Sequence, residues 1–231
     1  MNLDVFYDRR SNIMNTTTGL VSGVLGATSP SKPLGIVDNK GIDLGINLSD
    51  RKGDFTYTIG GQFSFVKSKI IEMSEVYRPY NYLKRTVNPV GQYFGLESIG
   101  FFSDLADISS IPKQLFSAVK PDDIKYKDQN KDGIIDQYDE IAIGFNNQVS
   151  EMYFSGSFSI EYKGLGLDAL FQGTANSTVY LNTRSVFWPL RGENTISGFS
   201  DNRWTPTNKT SATLPRLSIE ESFNNYRSNS T

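Results

Sequence analysis

KDQNKDGIIDQYDEIAIG, residues 127–144, carries side-chain oxygens at intervals suited to a hard cation. Asp128, Asn130, Asp132, Asp136 and Asp139 fall at places 1, 3, 5, 9 and 12 of a twelve-residue loop. Gly133 falls at place 6, where a calcium loop turns sharply. Ile134 falls at place 7, which lends its backbone carbonyl. Calcium takes several oxygens, and donors on alternate residues can wrap it without long-range help. One position departs from the pattern. The last ligand is ordinarily Glu, binding with both oxygens; here it is Asp139, one methylene shorter, and Glu140 comes one place late. Extended runs flank the loop in place of amphipathic helices. The other reading is an ion-free turn, because Asp, Asn and Gly favour turns by themselves.

Composition narrows the chemistry. The chain has 231 residues, a net charge of -2, no cysteine and no histidine. A nucleic-acid partner or a polybasic membrane patch is disfavoured, since no basic run stands out. A thiol nucleophile, a disulfide framework and every His-dependent dyad are excluded. The carboxylates that cluster are spaced for a cation and form no catalytic pair, so the chain reads as a non-enzyme. Gly164-Leu165-Gly166-Leu167-Asp168-Ala169 formally matches a dinucleotide fingerprint, but it sits in a hairpin, not between strand and helix. No apolar run reaches the length of a membrane helix. MNLDVFYDRR lacks the features of a signal peptide and reads as the middle of a strand, and the polar FNNYRSNST ends no obvious element. Both ends read as cut from a longer chain.

The elements that must position the loop show a period of two. In SEMYFSGSFSIEYKG, Met152, Phe154, Gly156, Phe158, Ile160 and Tyr162 share one face, while Ser155, Ser157, Ser159 and Glu161 share the other. Lys163-Gly164 offers a tight turn into LGLDALFQG. An earlier hairpin joins GIDLGINLSD to FTYTIGGQFSFVKSK through residues 51–54. Shorter extended runs are expected at 3–10, 92–102 and 123–126, with polar segments 11–35, 72–91, 103–122 and 176–231 between strands. A β-sandwich alternates in the same way, but its strands run about five or six residues. Strands that span a bilayer need about 9–11, with apolar side chains toward lipid and polar ones toward a lumen. Strand length therefore favours an all-β, antiparallel transmembrane barrel segment with long extracellular loops. Trp188 and Trp204 lie in the last polar segment, where aromatics can stack on sugar rings or meet a partner protein; packing within the loop or an interfacial girdle is the favoured reading.

Several blocks in order, DVFYDRRSNIM, VDNKGIDLGINL, VGQYFGLESIGFF, DIKYKDQNKDGIIDQYDEIAIG, FSGSFSIEYKGLGLDALFQG and NRWTPTN, resemble SusC/RagA-type TonB-linked outer-membrane proteins of the Bacteroidetes. The resemblance covers nearly the whole chain. It implies a slice of a large plugged barrel of about 22 strands, in a bacterial outer membrane, importing oligosaccharides or peptides. It further implies a SusD-like surface lipoprotein as lid, and a TonB complex acting on a plug domain. Neither the plug nor the final barrel strands are recognised in these residues. The competing expectation is a secreted, calcium-binding β-sandwich for adhesion or carbohydrate binding.

Overall fold

Two turns set the geometry of the sheet. Lys163 and Gly164 both adopt positive φ, +47° and +85°. That is the left-handed pair a two-residue hairpin requires to match strand twist. Gly53, at φ +66°, makes the corresponding turn with Asp54. The computed structural model describes residues 1–16, 31–146, 148–181, 198–208, 211–217, 224–225 and 229–230. In chain order the strands are β1 (Asn2–Thr16), β2 (Ser31–Lys52), β3 (Phe55–Glu72), β4 (Phe94–Leu96), β5 (Ser98–Phe101) and β6 (Lys113–Gln114). Then come β7 (Ile124–Tyr126), β8 (Ile134–Ile135), β9 (Glu140–Ala142), β10 (Met152–Tyr162) and β11 (Leu165–Ala175). A short helix α1 spans Leu105–Ser110.

The chain divides into two units. The first takes Met1–Arg78, Lys84–Gln92 and Phe145–Thr178. It is a five-stranded antiparallel sheet in the order β1-β2-β3-β10-β11. Its strands run from 11 to 22 residues, long enough to cross a bilayer at a tilt. The register aligns every alternating face. Leu44 lies across from Phe63, and Phe63 across from Phe154; Leu48, Ile59 and Phe158 form another such row. This face is exposed: Ile46, Leu48, Ile59, Phe154, Leu167 and Phe171 all present large apolar side chains outward. An apolar face of this extent needs lipid or a partner against it. The opposite face carries Asp43, Gln62, Ser64, Ser155 and Gln172.

Glycine permits two close approaches in the sheet. A methyl at Gly41 would stand 2.5 Å from the Phe65 carbonyl oxygen and 2.6 Å from the Phe6 ring, and one at Gly173 would stand 2.5 Å from the Phe154 ring. Both rings come from the residue directly opposite.

The second unit comprises Pro79–Leu83, Tyr93–Gly144 and Val179–Thr231. Its strands are short and pair in twos: β4 with β9, β5 with β7, and β6 with β8 in parallel. Leu96, Ile124, Tyr126 and Ile135 are its buried centre, with Phe101 and Phe116 against them. The polar stretch 103–122, expected as a loop, contains α1, capped by Asp104 accepting from the Asp107 N–H.

Candidate functional site

Cross-strand register gathers polar groups into a concavity on the inner face of the five-stranded sheet. Asp4, Asp43, Ser64, Tyr153 and Thr174 form one row across all five strands. Asn2, Gly45, Gln62, Ser155 and Gln172 form the next. Together they line an open hollow of about 750 Å³. Ser64 donates to Asp43 Oδ1 at 2.5 Å. Amides, hydroxyls and carboxylates in this density suit hydrated, hydrogen-bonding molecules. A second hollow of about 610 Å³ on the same unit is more apolar, lined by Ile13, Val37, Val66, Ile70 and Val90. Asn146 frames it: its amide donates to the Val90 carbonyl at 2.9 Å, and its oxygen accepts the Gln148 N–H at 2.8 Å.

The carboxylate loop belongs to the second unit. Asp128 accepts the Lys131 N–H at 2.5 Å and the Gly133 N–H at 2.9 Å. Asp132 accepts the Ile134 N–H at 2.8 Å, and Asn130 accepts the Asp132 N–H at 2.9 Å. Gly133 makes the sharp turn at φ +84°. Asp136 accepts from the Tyr138 N–H, while Asp139 accepts from Gln129 at 2.8 Å and Asp136 at 2.9 Å. Thus Asp139 closes the loop by joining both ends through backbone donors. It is fully buried, 0% exposed. Among the described residues no cation forms a salt bridge with it. Burial foremost, with repulsion from Asp128, pushes its carboxyl up despite those hydrogen bonds. Nearby, Tyr82 donates to the Tyr138 carbonyl at 2.8 Å. Burial and then the charge of Asp139 raise its phenol to about 12. The loop's all-oxygen chemistry and the buried charge of Asp139 fit a hard cation. Still, among the described residues no three acidic side chains stand together as a metal cage. The side-chain oxygens face backbone N–H groups, and hydrogen bonds hold the loop in this form.

Of the two tryptophans, Trp204 is only 8% exposed and its backbone N–H donates to the Leu214 carbonyl at 2.8 Å. It packs inside the unit. Trp188 lies outside the described residues. Sequence reasoning passed over Asn224 and Asn225, which are buried. Asn225 accepts the Ile124 N–H and donates to Asp123, each at 2.8–2.9 Å. Asn224 donates to the Ile124 carbonyl at 2.9 Å, and Tyr126 donates to the Asn224 carbonyl at 2.6 Å. Arg216 pairs with the buried Asp123 at 2.8 Å. The polar composition of this tail reflects a buried hydrogen-bond network, in which every donor needs an acceptor. Two adjacent asparagines between two aromatics, Phe223 and Tyr226, were the available signal.

No family model matches the chain. In sequence it is similar to a TonB-dependent receptor of Formosa agariphila, 26% identical over 234 residues, covering 93% of this chain and 22% of the relative. In fold it is similar to the RagAB peptide transporter, with a TM-score of 0.63 at 17% identity over 96% of this chain and 24% of the other. The RagAB peptide importer in its open-open state gives 0.62 at 16% identity over the same shares. The chain thus spans less than a quarter of the length of the relatives it matches. Its resemblance to SusC/RagA-type TonB-linked outer-membrane proteins holds in both sequence and fold, and that fold is an antiparallel barrel segment.

Proposed function

We propose that the chain is part of the wall of an outer-membrane TonB-dependent importer. The observation that carries this reading is the two-faced sheet, a continuous exposed apolar face backed by a polar hollow of about 750 Å³. Such a wall faces lipid on one side and a hydrated lumen on the other. The cargo class is oligosaccharides or peptides, which the amide- and hydroxyl-rich inner face would pass by exchanging hydrogen bonds. A SusD-like surface lipoprotein acts as lid, and a TonB complex works on a plug elsewhere in the protein. This chain's own share is positional: its strands hold the lumen open and its register sets which groups line it. The test is uptake of labelled oligosaccharides and peptides by cells with and without the gene. Uptake of one class that depends on the gene and stops when the proton gradient is collapsed supports the proposal. Gene-independent uptake of both classes contradicts it.

A second reading concerns calcium. The buried Asp139, lacking a cationic side-chain partner among the described residues, favours an ion at the loop. Asp128, Asn130, Asp132, the Ile134 carbonyl, Asp136 and Asp139 would supply its oxygens. When bound, calcium would neutralise the loop's carboxylates and brace it. Calorimetric titration of the protein with calcium tests this, and absence of a binding isotherm rejects it.

A further inference from the structure

We infer that the outer face of β1–β3 holds a binding site for a phosphorylated lipid headgroup, built where the apolar face ends. This rests on the barrel reading above. Val5, Ile42, Phe65 and Met152 form the last apolar row on that face. The next row is Tyr7, Lys40 and Lys67; the one after is Arg9, Asp38 and Lys69. Polarity changes within one step of the register, from four apolar side chains to a cationic belt.

The belt has one acid, and it is already engaged. Asp38 accepts from Arg9 Nε at 2.6 Å, from Arg9 Nη2 at 2.8 Å and from the Tyr7 hydroxyl at 2.7 Å. Among the described residues no acid forms a salt bridge with Lys40, Lys67 or Lys69. All three are exposed. Lys40 stands directly across from Lys67, and like charges so placed repel. An anion between them removes that cost.

Position selects a lipid headgroup over other anions. Phe55 and Tyr162 are paired at the short-turn end of the outer face, and Tyr7 marks the far end, as aromatic girdles do at both membrane surfaces. From Phe55 to Lys67 the strand runs about 40 Å at about 3.3 Å per residue. At a tilt near 40° that is about 30 Å along the membrane normal, about the hydrocarbon thickness. The ammonium groups therefore lie at headgroup depth. They are also opposite the short turns, on the leaflet that faces outward.

The experiment uses the full-length protein in neutral detergent, offered a phosphorylated glycolipid, the same glycolipid without phosphate, or inorganic phosphate. Retained lipid is read by native mass spectrometry. The wild type is expected to retain the phosphorylated lipid over its dephosphorylated form. The variant K40Q/K67Q/K69Q should bind it at least about tenfold more weakly, and K40R/K67R/K69R should keep it. Lys69→Gln alone, a milder change, should give a partial loss. Equal retention by wild type and both Gln variants overturns the inference, as does displacement of the lipid by equimolar inorganic phosphate. If these proteins enter bilayers as barrels yet show no phosphate preference, only this inference fails. If the wild type cannot enter a bilayer, the barrel reading fails with it.

Discussion

Phe158 lies directly across from Ile59 on the outer face, while its neighbour Ser157 lies across from Gly60 on the inner face. One step along β10 thus changes the environment from apolar to polar. Replacing Phe158 with Lys puts a charge into the apolar face. The expected cost is about 2–4 kcal/mol if the residue sits near the bilayer midplane. Ser157→Asn, facing the lumen, should change stability by less than about 1 kcal/mol. Equilibrium unfolding of both variants in a bilayer checks the contrast.

Glycine at 41 is required by packing. Gly41→Ala drives a methyl against the Phe65 carbonyl oxygen and the Phe6 ring. Backbone on one side leaves little room for relief, so a loss of about 1–3 kcal/mol is expected. Gly45, on the same strand, has nothing within 4 Å of such a methyl. Gly45→Ala should therefore be nearly neutral, and the difference in unfolding midpoint between the two reads the effect.

Acid should loosen the contact that holds α1. Lys125 donates to Asp107 at 2.7 Å, and that hydrogen bond, foremost, holds the Asp107 carboxyl below its usual range. A lowered folded pKa gives stability that is present above the unfolded value and lost as pH falls through the folded one. Lys125→Met should cost less than about 1 kcal/mol near neutral pH, since the pair is partly exposed. The difference from wild type should shrink to nothing below the folded pKa of Asp107. Proteolysis rates at 103–127 across the acid range measure it.

Calcium, if bound, depends on the first position of its loop. Asp128→Ala removes a carboxylate and also two backbone hydrogen bonds. Calorimetry should show calcium binding lost in this variant. Glu140→Gln, which lies outside the ligand set, should leave binding unchanged.

Much of the sheet was legible because its cause is local. Period-two alternation marked β10, β11, the central part of β2 and nearly all of β3, and 163–164 marked one turn; the other, expected over 51–54, is only 53–54, because Arg51 and Lys52 still pair with Thr56 and Phe55. The far ends of β1 and β2 were missed. There the register shifts, between Arg10 and Ile13 and again between Ile13 and Met14, and a bulge breaks the alternation on which the reading depends. The strand expected at 92–102 is two short strands, β4 and β5, each with its own partner. Segments of two to four residues carry no period to read. The loop's turn at Gly133 followed from ligand spacing, whereas the burial of Asp139 came from contacts that no local pattern records. Trp204, for which packing within the loop was one of the expected roles, is buried, and its backbone N–H pairs with the Leu214 carbonyl.

The most direct test of the two-faced wall is single-cysteine labelling along β10 in the outer membrane, each variant being read against the parent protein, since these 231 residues contain no cysteine of their own. Cysteines replacing Ser155, Ser157 and Ser159 should react with a water-soluble maleimide, and those replacing Phe154, Phe158 and Ile160 should react only with a lipid-soluble one. Equal reaction of both sets with the water-soluble reagent contradicts a lipid-facing wall and favours a sheet packed within a soluble domain.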